Sequence, residues 1–412
     1  MAFPVNNVRA NEAHLNNGDR VQAHPRAGQL VTTSTIGEVV RAFVPRPLPP
    51  IPALSFTDDD RELIDRANRA LGRLDGLGLM LPDTHLFVYL YIRKEAVLSS
   101  QIEGTQSSLS DLLIHESEHS PGVPLDDVVE VSNYVAAISH GLARMRGGFP
   151  LSLRLIKEMH EVLLSKGRGS TKQPGLFRTS QNWIGGSRPG VATFVPPPAD
   201  QVVACMGDLE KFLHGEPTRT PVLLRAALAH VQFETIHPFL DGNGRLGRLL
   251  IPLLFCAEGV LQEPTLYLSL FFKVHRTEYY GNLTAVREHG AWEEWVRFFM
   301  HGVAETAEQA VSAARGILAL FEADRAPLSA LGRQAGAALR LHDAMKRRPI
   351  ATISQLAERS SMSVPTTTAA LANLQRLGLV RESTGRQRGK LFVYQRYLDL
   401  LNEGTTTPDG QA

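Results

Sequence analysis

Apolar residues follow a helical period along most of this chain. From Asp58 onward they recur at the i, i+3, i+4 and i+7 spacing of an amphipathic helix. A second helix is predicted between the N-cap candidates Asp83 and Thr84 and Gly104, a residue type common just past a helix end. The pattern indicates a mainly α fold. Further helices are predicted at residues 128–145, 151–164, 200–214, 221–235, 243–258, 276–288 and 292–321.

Two stretches break this period. Residues 1–52 are polar at first and then read VPRPLPPIP, in which proline fixes the backbone and removes donors. They are predicted to form a loosely packed arm followed by an extended connector. Residues 181–198 carry Gly-Gly and Pro-Gly turn pairs beside a short apolar run, so a β-hairpin is predicted there, with a strand at residues 191–195.

The C-terminal part shows a different order of elements. Three helices are followed by a strand that starts at Gly378, a turn and a returning strand, an order typical of a winged helix-turn-helix domain. The last residues are expected to be a disordered tail. The predicted helices span residues 339–346, 353–360 and 364–377, and the returning strand spans residues 391–394.

Composition narrows the choice of function and location. The chain has 412 residues, of which 43% are hydrophobic and 21% charged, and its net charge is +1. That length suggests two or three domains, and a charge near zero leaves any binding to nucleic acid or membrane to a local patch. Two cysteines, Cys205 and Cys256, exclude a disulfide scaffold and a thiolate zinc site. With no secretory signal in the first residues and no apolar run long enough to span a bilayer, a cytoplasmic location is expected.

The stretch HPFLDGNGRLGR, residues 237–248, has the features of an anion site. Pro238 ends the preceding helix, and Phe239 can anchor the loop in the core. Gly242, Asn243 and Gly244 then open the next helix, where glycine permits a close backbone approach. The unpaired N–H groups and the dipole of a helix N-terminus attract phosphate.

Four side chains of the same stretch supply chemistry. Arg245 and Arg248 are three residues apart and share a helix face. Asp241 offers a hard oxygen ligand suited to the Mg²⁺ that accompanies a phosphate, and His237 offers a general base near neutral pH. Together with the helix N-terminus, these groups favour phosphoryl or nucleotidyl transfer.

Other interpretations of these residues are weaker. Residues 242–247 also match G-x-G-x-x-G, but a dinucleotide fold needs a strand before that motif, and a helical pattern precedes it here. GRGSTK, residues 167–172, lacks the residue order of a phosphate loop and is interpreted as a surface turn. Asp241 alone could be an N-cap, and His237 alone could be a loop residue.

The stretch HPFLDGNGRLGR resembles the signature of the Fic family, HPFx[D/E]GNGRxxR, at every defined position. YIRKEAVLSSQIEGTQSSL at residues 91–109, PGLFR at 174–178 and EYYGNLTAVREHGAWEEWVRFF at 278–299 resemble one bacterial branch of that family. The resemblance implies a helical Fic bundle with a β-hairpin flap. The domains are then expected to be an arm and connector (1–52), an N-terminal helical region (53–115), a Fic core (116–322), a winged helix (327–399) and a tail (400–412).

The resemblance also implies an activity, the transfer of AMP from ATP to a Ser, Thr or Tyr hydroxyl of a target protein. His237 would deprotonate that hydroxyl, and Asp241 would hold Mg²⁺. Gly242, Asn243 and Gly244 would surround the phosphates, while Arg245 and Arg248 would neutralise charge. AMP rather than another nucleotide is implied by the resemblance alone, as is a homodimer.

The segment SSQIEG, residues 99–104, resembles the inhibitory pattern of the family. Ser99 and Glu103 lie on one helical face. The resemblance implies that Glu103 pairs with Arg248 and keeps that arginine from the γ-phosphate, since a guanidinium bound to a carboxylate cannot also bind a phosphate. The expected enzyme is therefore autoinhibited by its own N-terminal region.

The resemblance further implies a flap that docks a target segment as an added strand. The flap residues would be Val191, Ala192, Thr193, Phe194 and Val195. Adenine contacts are implied at Tyr279, Tyr280 and Asn282, although tyrosines at that spacing are also common in cores.

The C-terminal unit allows a different function. Its wing carries Arg381, Arg386, Arg388 and Lys390, which suits phosphate contact with DNA. The alternative is therefore a DNA-binding regulator in which the Fic core acts as a sensor or removes AMP. A mobility shift with the C-terminal unit would separate this hypothesis from the enzymatic one.

Overall fold

The computed structural model describes residues 23–80, 84–116, 125–385 and 389–403. The N-cap candidate Asp83 and most of the expected tail lie outside these ranges. Helices dominate the described chain. They are α1 Asp58–Met80, α2 Thr84–Ile102, α3 Leu109–His115, α4 Leu125–Arg146, α5 Leu153–Leu163, α6 Val202–Leu213, α7 Val222–Ile236, α8 Asn243–Ala257, α9 Ser269–Val274, α10 Arg276–His289, α11 Trp292–Ser329, α12 Ala335–Arg347, α13 Ile353–Ser360, α14 Val364–Arg376 and α15 Gln395–Asn402.

Two small antiparallel sheets accompany the helices. The first is a hairpin of β1 (Gly28–Thr35) and β2 (Glu38–Pro45). The second has three strands in the order β3-β5-β4 and belongs to the C-terminal unit. Its strands are β3 Ile350–Thr352, β4 Arg381–Glu382 and β5 Leu391–Val393.

Helix α7 lies at the centre of the bundle and packs against α8. Every residue of α7 from Leu223 to Ile236 is buried, so the helix has no polar face toward solvent. Helix α2 packs against α4 and α9, and the long helix α11 runs along α1. The junction between α7 and α8, which carries residues 237–248, therefore sits on the most deeply buried helix pair of the described chain.

The structure corrects the prediction for residues 1–52. Residues 28–45 form the β1–β2 hairpin rather than a loose arm, and Ile36 and Gly37 both adopt positive φ at its turn. The base of the hairpin is fixed because the Arg26 guanidinium binds both carboxylate oxygens of Glu293 at 2.7 and 2.8 Å. Residues 1–22 lie outside the described ranges.

Several elements differ from the sequence prediction at the C-terminal end. Helix α11 continues to Ser329, so one unbroken helix crosses the expected boundary between residues 322 and 327. The short elements α3, α9 and β3 were not predicted, and α15 extends past residue 399 into the expected tail. Strand β4 begins at Arg381, whereas the sequence predicted a strand from Gly378. Gly378 has a positive φ and belongs to the turn that follows α14.

None of the helices in the described ranges combines the length and the apolar character that crossing a bilayer requires.

Candidate active site

The loop after α7 is held by packing and by its own side chains. His237 ends the helix in the left-handed region, with φ 48° and ψ 60°, and its N–H donates to the Phe233 carbonyl at 2.9 Å. Phe239 is fully buried and stacks on His160 with 3.7 Å between ring centroids. His160 also contacts the Asp241 carbonyl at 3.0 Å, so the loop has one fixed course between the two helices.

Asn243 contributes to this loop in a way that the sequence did not reveal. Its Oδ1 accepts from the Phe239 N–H and its Nδ2 donates to the Phe239 carbonyl, both at 2.9 Å. Because the side chain amide is used in holding the loop, only the main chain of Asn243 is available to a ligand. The anion site expected at residues 242–244 therefore consists of backbone N–H groups.

Asp241 lies at the edge of the site, with its side chain 30% exposed. Its Oδ1 accepts from the Gly242 N–H at 2.6 Å and lies 3.5 Å from Arg245 Nη2. Gly169 abuts the other oxygen, since a Cβ added there would lie 2.9 Å from Oδ2. The GRGSTK turn, interpreted from sequence as an ordinary surface turn, therefore lines the site beside this carboxylate.

Arg245 is 1% exposed and pairs with a carboxylate that sequence reasoning missed. Its Nη1 lies 3.0 Å from Glu130 Oε1, and Glu130 also pairs with Arg168 of the neighbouring turn. A buried carboxylate is rare without a partner. The sequence contained a signal for this pair. Glu130 lies among apolar positions of α4, on the buried face that also carries Val131 and Tyr134.

Arg248 is bound at three points by α2 and by the residue that follows it. Its Nε donates to Ser99 Oγ at 2.9 Å, and its Nη2 donates to the Ser99 carbonyl at 3.0 Å and to Glu103 Oε1 at 2.6 Å. Arg248 is buried, whereas the Glu103 side chain retains 29% exposure. The residues of the inhibitory pattern and the second arginine of the motif therefore form one hydrogen-bonded group.

The carboxylate of Glu103 lies directly on the start of α8. A Cβ added to Gly244 would lie 2.3 Å from Glu103 Oε1 and 3.0 Å from Arg248 Nη1. Glycine is thus required at this position for a carboxylate to come so close to the backbone. An anionic group already occupies the place where the helix N-terminus would receive a phosphate.

The electrostatics of the site follow from burial and from this ion pair. Burial acts to raise the pKa of Glu103, but the charge and hydrogen bond of Arg248 outweigh it and hold that pKa below its ordinary value. Burial opposes the charge of Arg248, yet Glu103 raises the guanidinium pKa. Both groups are therefore charged at neutral pH.

His237 is neutral at neutral pH. Burial lowers its pKa to about 4, and the charge of Arg178 acts in the same direction, while the Glu234 carbonyl and Glu103 oppose the shift. Its Nδ1 is buried and has no hydrogen-bond partner among the residues that the structure describes. An unprotonated imidazole nitrogen is the form that can accept a proton.

Arg178, in the PGLFR stretch, holds the main chain of this histidine in place. Its guanidinium donates to the carbonyls of His237, Ile236 and Pro197 at 3.0, 3.4 and 2.6 Å. These are orphan carbonyls at the end of a helix and in the neighbouring loop. Sequence reasoning used PGLFR only as a resemblance and did not foresee this role.

The predicted flap strand at residues 191–195 is wrong in its extent. Residues Pro189–Val191 form a 3-10 turn, and the hairpin closes through a single bridge between Ile184 and Phe194. The Ile184 N–H donates to the Phe194 carbonyl at 2.8 Å and the Phe194 N–H to the Ile184 carbonyl at 3.1 Å. Prolines at the start and after Val195 lack the donors that a longer ladder would need.

The three predicted adenine contacts differ in exposure. Tyr279 is buried in an aromatic cluster, where its hydroxyl contacts His230 Nε2 at 2.8 Å and its ring stacks on Phe272. Tyr280 is 40% exposed, and Asn282 lies on the surface with its amide donating to the Glu278 carbonyl. Tyr279 therefore belongs to the core, which leaves the other two accessible to a ligand.

The Ser99 contact allows a graded test of the inhibitory role that the sequence predicts for Ser99 and Glu103. We expect Ser99→Ala to raise basal labelling by tagged ATP about fivefold, because the lost hydrogen bond to Arg248 contributes about 1 kcal/mol. The control is Ser100→Ala, since Ser100 Oγ is equally buried and has no partner among the described residues. Equal labelling by both variants in a filter assay would show that Ser99 does not hold Arg248 back.

Comparison with known families identifies this architecture. The Fic/DOC family N-terminal model matches residues 61–143, and the Fic/DOC family model matches residues 150–255, which include the whole loop 237–248. The chain contains a Fic domain. Ser99 and Glu103 lie in the first matched segment and Arg248 in the second, so their hydrogen bonds join the two segments.

Curated relatives match this chain in part. Protein adenylyltransferase fic-1 of Caenorhabditis elegans is 34% identical over 134 residues, which are 32% of this chain and 23% of that protein. Protein adenylyltransferase Fic of Drosophila yakuba is 31% identical over 179 residues, which are 43% of this chain and 33% of that protein. The chain thus spans at most about a third of the length of these two relatives.

The fold has a relative among solved structures. A Fic family protein from Desulfovibrio desulfuricans matches with a TM-score of 0.55 at 19% identity, over 87% of this chain and 99% of that one. At that identity the likeness supports a shared Fic fold.

Proposed function

We propose that this Fic protein is an adenylyltransferase that moves AMP from ATP to a hydroxyl group of a protein, and that Glu103 holds it in an inactive state. The observation that carries the proposal is the position of the Glu103 carboxylate, which contacts both Gly244 and Arg248. A carboxylate at that place indicates a built anion site on α8. The names of the curated relatives support AMP transfer as the chemistry.

In the proposed reaction, neutral His237 takes the proton of a Ser, Thr or Tyr hydroxyl. The freed oxygen bonds to the α-phosphorus of ATP, the bond from that phosphorus to the bridging oxygen breaks, and pyrophosphate leaves. The backbone N–H groups of Asn243 and Gly244 stabilise the charge that develops on the phosphate oxygens, while the Gly242 N–H donates to Asp241. Arg248, once released from Glu103, binds the γ-phosphate and so orients the chain of phosphates.

Asp241 fits a magnesium ion that arrives with the nucleotide. Its carboxylate is partly exposed at the edge of the site, and the described residues contain no group of three or more His, Cys, Asp or Glu side chains that could hold a metal alone. Mg²⁺ is usually bound by one or two carboxylates together with substrate phosphates and water. When bound, the ion would neutralise phosphate charge.

Isotope position in ATP tests this function directly. We expect the Glu103→Gly protein to become labelled, or to label an added protein, with ATP that carries the isotope at the α-phosphate and not with ATP that carries it at the γ-phosphate. AMP transfer retains the α-phosphorus and releases the other two. Label from the γ-phosphate would show a phosphotransferase instead.

We also propose that the C-terminal unit is a winged helix, because α12, α13 and α14 pack against one another and α13 packs against β3 of the sheet β3-β5-β4. DNA binding by this unit remains a prediction, as does a homodimer. Arg381 donates to Gln395, so that side chain already has a partner, and Arg386 and Arg388 lie outside the described residues. We therefore retain adenylyl transfer as the proposed function.

A further inference from the structure

Strand β2 lies along the flap, the segment around Ile184 and residues 189–195. The Phe43 N–H donates to the Val195 carbonyl at 2.8 Å. Both main-chain groups of the neighbouring Phe194 are bonded to Ile184 on the other side. The flap segment is therefore hydrogen-bonded along one edge within the hairpin and along the opposite edge to β2.

The two segments run in the same direction. At the other end of β2, Glu38 accepts from the Gly190 N–H at 2.7 Å and from Arg188 Nη1 at 2.8 Å. Glu38 thus lies beside Gly190, and Phe43 lies beside Val195. Residue numbers increase in the same direction along both segments, and by the same amount between the two contacts. One main-chain hydrogen bond and one side-chain contact thus hold the two segments side by side, in the direction of a peptide that is added in parallel to an edge.

Side chains reinforce the main-chain contacts. Val40 and Ala42 form a small buried cluster with Val195 of the flap. The ring of Phe43 lies 6.0 Å from that of Phe194, between centroids. The edge therefore accepts a segment with a carboxylate at the Arg188 end, small apolar side chains in the middle and an aromatic ring at Phe194.

Strand β2 has this chemistry but offers nothing to modify. Its sequence, EVVRAFVP, contains no Ser, Thr or Tyr. A segment that fits a docking edge and carries no acceptor hydroxyl behaves as a pseudosubstrate. It can occupy the edge for any length of time without being consumed.

We propose that the β1–β2 hairpin covers the docking edge of the flap as an intramolecular pseudosubstrate, and that a target docks there through an extended segment of the same pattern once β2 is displaced. This inference rests on the proposed function for the identity of the flap as a docking edge. It adds a second inhibitory contact, at the protein side of the site, to the one that Glu103 makes at the nucleotide side.

A reversible lock on the hairpin tests this proposal. Glu38→Cys and Arg188→Cys in one chain remove the ion pair and loosen the hairpin, and a short bismaleimide that joins the two thiols closes it again. The native thiols should react more slowly than the introduced ones, because burial raises the pKa of Cys205 to about 11 and that of Cys256 to about 12. The loose and locked proteins then share one sequence and one fold.

The probe is a fluorescent peptide with the sequence of residues 37–46, and its matched control is the same peptide with Glu38→Lys. We expect the unlinked protein to bind the first peptide at least about tenfold more tightly than the second, because main-chain pairing and the Arg188 end both contribute. The linked protein should bind neither. Phe43→Pro, which removes the N–H bonded to Val195, should behave like the unlinked form.

Two results would overturn the proposal. In the first, the linked and unlinked proteins bind the peptide equally well. In the second, the linked, unlinked and Phe43→Pro proteins all fail to bind it. Titration of magnesium ATP into both forms, each carrying Glu103→Gly, separates this inference from the proposed function. Nucleotide uptake should be the same in both. If neither form takes up nucleotide but peptide binding still depends on the link, the proposed adenylyltransferase activity is refuted and the covered docking edge is supported.

Discussion

Replacing Glu103 with glycine is expected to raise AMP labelling by roughly tenfold to a hundredfold. The change frees Arg248 and empties the space over Gly244, so a γ-phosphate can take the place of the carboxylate. A hydrogen bond between charged groups contributes about 1.5–3 kcal/mol, and each 1.4 kcal/mol is a factor of ten. The measurement is the initial rate of incorporation from α-labelled ATP.

The same variant should be less stable without nucleotide. Removal of one partner of a buried ion pair costs about 3–5 kcal/mol, and we expect the lower end here because the Glu103 side chain is 29% exposed. Magnesium ATP should restore the melting temperature, because the γ-phosphate supplies a new partner.

A matched variant separates charge from bulk at this position. Glu103→Gln keeps the size of the side chain over Gly244 but gives up its negative charge, so we expect activation well below that of Glu103→Gly. Full activation by the glutamine variant would assign inhibition to charge alone. An unchanged labelling rate in the glycine variant would contradict the inhibitory role of the group.

The second large effect is expected at His237. In the Glu103→Gly background, His237→Ala should reduce transfer by about 10²–10⁴-fold, the usual contribution of a general base. Nucleotide affinity should stay the same, because the proposed role of the imidazole is to accept the proton of the attacking hydroxyl and not to bind the phosphates. The measurement is the rate of transfer together with the dissociation constant for ATP.

His301→Ala provides the control for this substitution, since His301 is exposed on α11 and lies outside the site. It should leave both quantities unchanged. A His237→Ala protein that retains the rate of its parent would remove the imidazole from the mechanism.

Local pattern was sufficient for the longer helices and for the spacing of the site residues in one loop. Residues 237–248 lie within a single turn and a helix start, so sequence distance already places His237, Asp241 and Arg248 near one another. The Glu103–Arg248 contact spans 145 positions and came only from the resemblance. Glu130 and Arg178 were missed because their partners lie on other elements.

The β1–β2 hairpin escaped prediction for a physical reason. Its two-residue turn has Ile36 and Gly37 at positive φ, and a β-branched residue is disfavoured there, so the usual Asn-Gly signal is lacking. Val39 is 75% exposed although it is apolar. Val40 and Ala42 of β2 are buried partly by contact with Val195 of the flap, which lies more than a hundred residues further along the chain.

Calorimetric titration of magnesium ATP tests the central claim, that α8 begins at a triphosphate site which Glu103 blocks. The account predicts that Glu103→Gly takes up one nucleotide per chain at least about tenfold more tightly than the unaltered protein. Arg248→Ala in that background should lose most of this gain. A Glu103→Gly protein that shows no uptake of nucleotide would contradict the account.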